Sequence, residues 1–346
     1  MPFKQLTTPL QALHHPLFEA QKLQVWMKRE EQNNALIQGN KLYKLELNLT
    51  EHLKSDKKIL LTFGGAYSNH LAATAAACHL LKTPVIGIVR AAELANNPAK
   101  WSHTLNHCKQ NGMQLMFVSR ADYRLKEHPN FIEHLLEKDG AQLSQAQYHA
   151  LQHAWQQKQI TILPEGGSND LAVRGFAPLT AELQQQCPDW SDLFCAVGTG
   201  ATLAGLVANS EYRAERTLYG VAVLQQSEHL WPQINDWILR NQTSKTTNNW
   251  QLLNQYHHGG YAKKSEQLQH FIKKTWQEIN TEKAIPIEPI YTAKAFYAFW
   301  QKLMAGDFRA GAKIILLHSG GLQGLGPDAA PCNPALESIE TGSVAP

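Results

Sequence analysis

The sequence has no run approaching the roughly 18 consecutive apolar residues that a membrane-spanning helix needs, so no membrane partner is expected. Its N-terminal stretch, MPFKQLTTPLQALHHPLF, lacks a charged region followed by a sustained apolar segment, and does not read as a signal peptide. Cysteine is scarce, with five residues at 78, 108, 187, 195 and 332 and no C-x-x-C spacing. That pattern argues against a disulfide framework or a structural zinc site, and for reduced thiols in the cytoplasm. Charge of one sign is also scarce: 32 Lys and Arg against 29 Asp and Glu leave a net +3. No basic helix and no aromatic–basic interleaving stands out, so nucleic acid is not the expected partner. What remains is an ordinary globular balance, 43% apolar and 18% charged, over 346 residues, enough for two domains.

Short apolar runs alternate with helical patterns. Residues 22–28, 58–63, 85–89, 114–118, 160–163, 193–197, 218–224 and 313–319 read as strands. Helical patterns cover about 98–111, 122–159, 169–186, 264–280 and 293–304, and 240–250 has the composition of an exposed loop. Such alternation predicts an α/β fold of mostly parallel sheets with helices on both faces. In these folds ligands sit beyond the carboxyl ends of strands, where the glycine turns of this chain fall.

One stretch organises the rest, Gly39-Asn40-Lys41-Leu42-Tyr43-Lys44-Leu45-Glu46. Leu42, Leu45, Leu49 and Leu53 mark one buried helix face, and Asn40 reads as its N-cap, with Lys41 at the first position. The helix dipole there disfavours a cation, so Lys41 is a candidate neutral amine for a Schiff base. Taken alone, a lysine at a helix start is far more often a solvated one, and it is the motifs further along that favour the Schiff-base reading.

A second element is the strand, glycine turn and helix of FCAVGTGATLAG, residues 194–205. Backbone N–H groups of Gly198, Thr199, Gly200, Ala201 and Thr202 form a cup for a phosphate, unless the glycines serve only a tight turn. No Gly-Lys-Ser/Thr follows, and the next strand ends at Leu224-Gln225 without an acidic residue, so neither a P-loop nor a dinucleotide site fits. Ser68 reads as the cap of a helix whose start, with Asn69 and His70, suits a carboxylate or phenolate. Tyr261 and Tyr291 are packing residues or pocket walls. His103 and His107 lie one helical turn apart, but no third ligand is spaced to make a metal site.

GNKLYKLE, GGAYSNHLAA, LPEGGSND, GTGATLAG, EPIY and HSGG occur in this order over residues 10–325. Together they resemble the 1-aminocyclopropane-1-carboxylate deaminase / D-cysteine desulfhydrase family, pyridoxal-phosphate enzymes of the tryptophan-synthase-like fold (fold type II). The resemblance implies a larger cofactor-binding domain from 1–54 plus 161–326 and a smaller inserted α/β domain from 55–160, while the Pro-, Ala- and Ser-rich composition of 327–346 reads as a poorly ordered tail. It implies Lys41 as the Schiff-base lysine for pyridoxal 5′-phosphate, with Gly198 to Thr202 on the phosphate and Asn69 on the phenolic oxygen. Tyr291 would lie against the pyridine ring, Thr292 would face its nitrogen, and Ser319 would complete the cofactor site. Ser68, Asn69, His70 and Tyr261 would meet the substrate, Ser68 through its carboxylate or by assisting proton transfer.

Thr292, His70 and Ser319 match the desulfhydrase type, where the deaminases carry Glu, Gln and Leu. Two departures stand out: Tyr43 occupies a usual Arg position, and Gln38 a frequent Gly position. The implied reaction converts D-cysteine to pyruvate, sulfide and ammonia, in a cytoplasmic homodimer with a small amino acid as substrate. The alternatives are deamination of 1-aminocyclopropane-1-carboxylate to 2-oxobutyrate and ammonia, and a non-catalytic protein that binds pyridoxal phosphate or another phosphate ligand.

Overall fold

The computed structural model describes residues 3, 6–242, 244–279 and 285–322. Ten strands lie along the chain: β1 (Leu10–Leu13), β2 (Gln24–Lys28), β3 (Ile59–Gly64), β4 (Val85–Arg90), β5 (Gln114–Val118), β6 (Ile160–Leu163), β7 (Asp192–Val197), β8 (Thr217–Ala222), β9 (Asn249–Leu253) and β10 (Lys313–Leu317). They form a six-stranded sheet, β1-β2-β10-β7-β8-β9, and a four-stranded sheet, β5-β4-β3-β6. All pairings are parallel except β1 with β2.

Two compact units result. The larger joins Lys4–Lys44 with Asn169–Pro346, and the smaller joins Met1–Phe3 with Leu45–Ser168. The divisions fall at 44 and 168 rather than near 54 and 160, and packing explains the first of them. In the opening turn of the Asn40–Lys54 helix, Tyr43 packs on Phe176 with ring centroids 5.5 Å apart. Further along, His52 Nδ1 lies 2.7 Å from the Thr161 hydroxyl of the smaller unit. The expected tail, 327–346, lies outside the described residues.

In the larger sheet both faces are buried, which is why its strands read as continuous apolar runs. Phe194 and Ala196 pack in one cluster with Phe296 and Phe299 of the Thr292–Met304 helix. Leu193, Cys195 and Val197 pack in the other with Leu203 and Leu206 of the Ala201–Asn209 helix. In the smaller unit the Asn69–Leu80 helix is buried from Asn69 through Cys78.

The structure redraws several expected elements. β1 and β9 are strands that the sequence pattern did not suggest, and β9 with the Leu230–Asn241 helix narrows the expected 240–250 loop from both sides. The expected 169–186 helix breaks into Asp170–Arg174 and Ala177–Gln186, because Pro178 has no N–H to continue the ladder. The 264–280 pattern becomes Glu266–His270, a π-helical turn Phe271–Thr275, and Trp276–Glu278. The 122–159 pattern splits into Arg120–Tyr123, Phe131–Asp139 and Gln145–Gln156. Among the described residues no helix is long and apolar enough to cross a membrane.

Candidate active site

Strands β2, β10, β7 and β8 run parallel, so the turns that follow them open on one edge of the larger sheet. The segment after β2 leads to Lys41, the turn after β10 carries Ser319, and the turn after β7 is Gly198-Thr199-Gly200. Two motifs distant in sequence meet back to back here. Gly39 has φ +70°, and a Cβ there would collide with the carbonyl of Ser319. The Asn40 N–H donates to that same carbonyl over 3.2 Å.

Asn40 is the first helical residue rather than the residue before the helix. Its side chain links the two halves of the larger unit's site. Nδ2 donates to Thr202 Oγ1 at 2.8 Å, and Oδ1 accepts from Lys41 Nζ at 2.7 Å. The face expected from Leu42, Leu45, Leu49 and Leu53 is corrected at its end: the first three are fully buried, but Leu53 is 49% exposed. Tyr43, the departure from the family pattern, is buried and donates to Glu30 Oε2 at 2.6 Å. Asn33 Nδ2 reaches the same carboxylate oxygen at 3.0 Å and the Gly39 carbonyl at 2.9 Å, so the turn before Lys41 is tied to Glu30.

At the cup, Gly200 takes φ +93° and stands at the N-cap of the Ala201–Asn209 helix with no side-chain cap. That leaves the first-turn amides aimed outward without a serine or aspartate competing for them. The Tyr291 ring lies above Gly198, with Cε1 3.4 Å from where a Cβ would stand, and packs edge-on against Tyr261 at 6.3 Å.

Glu288 was not singled out from the sequence, although it opens the EPIY motif. Its buried carboxylate accepts from the amides of Ile290 at 2.7 Å, Tyr291 at 2.8 Å and Thr292 at 2.5 Å. It thereby caps the Thr292–Met304 helix from the preceding turn. Thr292 Oγ1 is buried and has no hydrogen-bond partner among the described residues. Burial lowers the Lys41 amine to about 8, with the Glu288 charge opposing the shift. Desolvation, more than the helix dipole invoked from sequence, therefore favours the neutral amine.

In the smaller unit, Ser68 caps the Asn69–Leu80 helix, its Oγ accepting from the Leu71 N–H at 3.3 Å. A Cβ at Gly64, at the end of β3, would lie 2.6 Å from that Oγ, which accounts for a glycine there. His70 is turned inward. Thr62 donates its hydroxyl proton to the Leu163 carbonyl, so it accepts from His70 Nε2 at 2.7 Å. His70 Nδ1 lies 3.4 Å from the Thr74 hydroxyl, leaving both ring nitrogens engaged within the unit. The larger unit thus collects Lys41, Gly198 to Thr202, Tyr261, Tyr291, Thr292 and Ser319, and the smaller holds Ser68, Asn69 and His70. Among the described residues no group of three or more His, Cys, Asp or Glu side chains is placed to hold a metal ion.

Comparison with known proteins adds four findings. The sequence profile described as "Pyridoxal-phosphate dependent enzyme" matches residues 4–320. A putative 1-aminocyclopropane-1-carboxylate deaminase of Thermotoga maritima is 28% identical over 334 residues, covering 92% of this chain and 95% of the relative. The mitochondrial bifunctional D-cysteine desulfhydrase/1-aminocyclopropane-1-carboxylate deaminase of Arabidopsis thaliana is 25% identical over 317 residues, covering 87% of this chain and 73% of that protein. Among solved structures, one of an ACC deaminase homologue shares the fold with a TM-score of 0.73 at 22% identity, over 95% of each chain.

Proposed function

The chain belongs to the family of pyridoxal-phosphate dependent enzymes, and from that premise we propose that it eliminates thiolate from D-cysteine or a close analogue. The residues of the larger unit fit the cofactor: a lysine amine lowered to about 8, an uncapped helix N-terminus behind Gly200, and a buried hydroxyl awaiting a partner. When bound, pyridoxal phosphate supplies an aldehyde for the lysine amine and a ring that withdraws electrons from the substrate's α-carbon.

Lys41 would hold the cofactor through Nζ, and the same amine is the group placed to take the substrate's α-proton. Asn40 Oδ1 holds that amine at rest, while its Nδ2 steadies Thr202 in the phosphate cup. The amides of Gly198 to Thr202, with the hydroxyls of Thr199 and Thr202, hold the phosphate. Tyr291 would pack against the ring, Ser319 would border it, and Tyr261 would line the substrate space. On the family resemblance, Asn69 meets the phenolic oxygen and Ser68 the substrate carboxylate. His70, engaged with Thr62 and Thr74, steadies the start of that helix instead of touching substrate.

Thr292 Oγ1 carries the choice of reaction. A hydroxyl donates to an unprotonated ring nitrogen but does not hold it charged as a carboxylate does. The electron demand is then moderate, sufficient to expel a thiolate and less suited to opening a carbon ring. We further propose a homodimer in the cytoplasm, the compartment suited to the unpaired cysteines.

The test offers the purified protein D-cysteine, L-cysteine and 1-aminocyclopropane-1-carboxylate in parallel, assaying sulfide and 2-oxo acid. Sulfide with pyruvate from D-cysteine is expected. A 2-oxo acid from the cyclopropane substrate alone would transfer the chain to the deaminases, the activity named for the Thermotoga maritima relative. No product from any of the three, with the cofactor still on Lys41, would leave a different substrate or a binding role.

A further inference from the structure

Residues 258–262 place four left-handed residues within five positions: His258, Gly259, Gly260 and Ala262 have φ of 50°, 93°, 102° and 57°. Two of these are not glycine, so the loop needs its surroundings to hold it. Tyr261 lies inside this stretch. The holding group is Lys294, a fully buried lysine near the start of the Thr292–Met304 helix. Its Nζ donates to the Gly260 carbonyl at 2.8 Å and reaches the Val223 carbonyl, just beyond β8, at 3.4 Å.

One ammonium therefore ties together the Tyr261 loop, the end of a central strand, and the helix that follows Tyr291 and Thr292. A second anchor lies beside it. His258 Nδ1 is 2.7 Å from Ser265 Oγ, and its ring stands edge-on to Tyr297 at 4.5 Å. Burial first, and then the Lys294 charge, push His258 down to about 4, so it stays neutral. A buried lysine is costly, and a methionine would fill the same space without that cost. A cation kept here points to a need for its charge-assisted donor.

We propose that Lys294 is a positioning residue: by holding the Gly260 carbonyl it sets the Tyr261 ring against Tyr291 and so shapes the substrate space. The proposal rests on the reading of Tyr261 as a substrate-lining residue. It is tested on the full chain carrying its cofactor, with Lys294→Met, which removes the donor, and Lys294→Gln, which keeps an N–H without charge.

Amide hydrogen exchange at 258–263, measured without substrate, is expected to quicken about ten- to hundredfold in the Met variant, while β7, β8 and β10 keep their protection. KM for D-cysteine should rise by a similar factor, with kcat changing less and the Gln variant falling between. Unchanged exchange at 258–263 in the Met variant overturns the proposal. So does lost protection across the whole sheet in both variants, which would make Lys294 a plain core residue. A parent protein that releases no product from D-cysteine defeats the functional reading instead, and the exchange measurement still decides whether Lys294 holds the 258–262 loop.

Discussion

A single amine and a single hydroxyl carry the chemistry proposed for this chain. Lys41 is lowered to about 8 by burial, well under the usual lysine value of 10.5. The neutral amine is the form that attacks an aldehyde. In cofactor-free protein, the capture rate of pyridoxal phosphate should therefore climb with pH to about 8 and flatten above it. Stopped-flow absorbance would show this, and a rate still climbing toward pH 10 would contradict a desolvated amine. Lys41→Ala should lower sulfide release by roughly 10²–10⁴-fold or more, through loss of the base and of the cofactor linkage. Full activity in that variant would sink the mechanism. Neither the value near 8 nor the reach of Asn40 to Thr202 could be read from GNKLYKLE, because both depend on groups some 160 to 250 residues away.

At the scale of elements, the site depends on backbones that approach closely and on one acidic cap. A Cβ on Gly175 would collide with the Tyr43 carbonyl in the Lys41 helix. Gly175→Ala should cost about 1–3 kcal/mol, read as a lowered urea midpoint with an unchanged slope. An unchanged midpoint would mean that the helix can shift to make room. Glu288→Gln removes the charge that serves three amides at the start of the Thr292–Met304 helix, and should cost about 1–3 kcal/mol in the same measurement. The larger glycine motifs were legible because few residues other than glycine tolerate such turns. Glu288 was not, since an acid near a helix start reads equally well as a solvated one. The edge strands β1 and β9 were missed for a related reason. Both lie at the borders of the sheet, and their mixed burial breaks the apolar run that marks β7 or β10.

For the whole molecule, the thiols report the two cores. Cys78 and Cys108 lie in the smaller unit and Cys195 in the larger, each pushed up to about 12 by burial. None should react with a thiol reagent under native conditions at neutral pH, and all three should react once denaturant opens their unit. Mass-spectrometric mapping across a urea series would show whether the two units open together or apart. Rapid native labelling of any of the three would contradict the cores described.

The sequence alone determined the strand–helix alternation, the glycine turns at the carboxyl ends of strands, and the six motifs that resemble one enzyme family. These are local properties: side-chain period, left-handed turns and capping residues act within a few positions. Only the tertiary structure decided that His70 turns inward to Thr62 and Thr74, that Asn40 joins Lys41 to the phosphate cup, and that Lys294 holds the Tyr261 loop. The partners in those contacts come mostly from other elements, and burial among them, rather than local pattern, sets the charge each group carries.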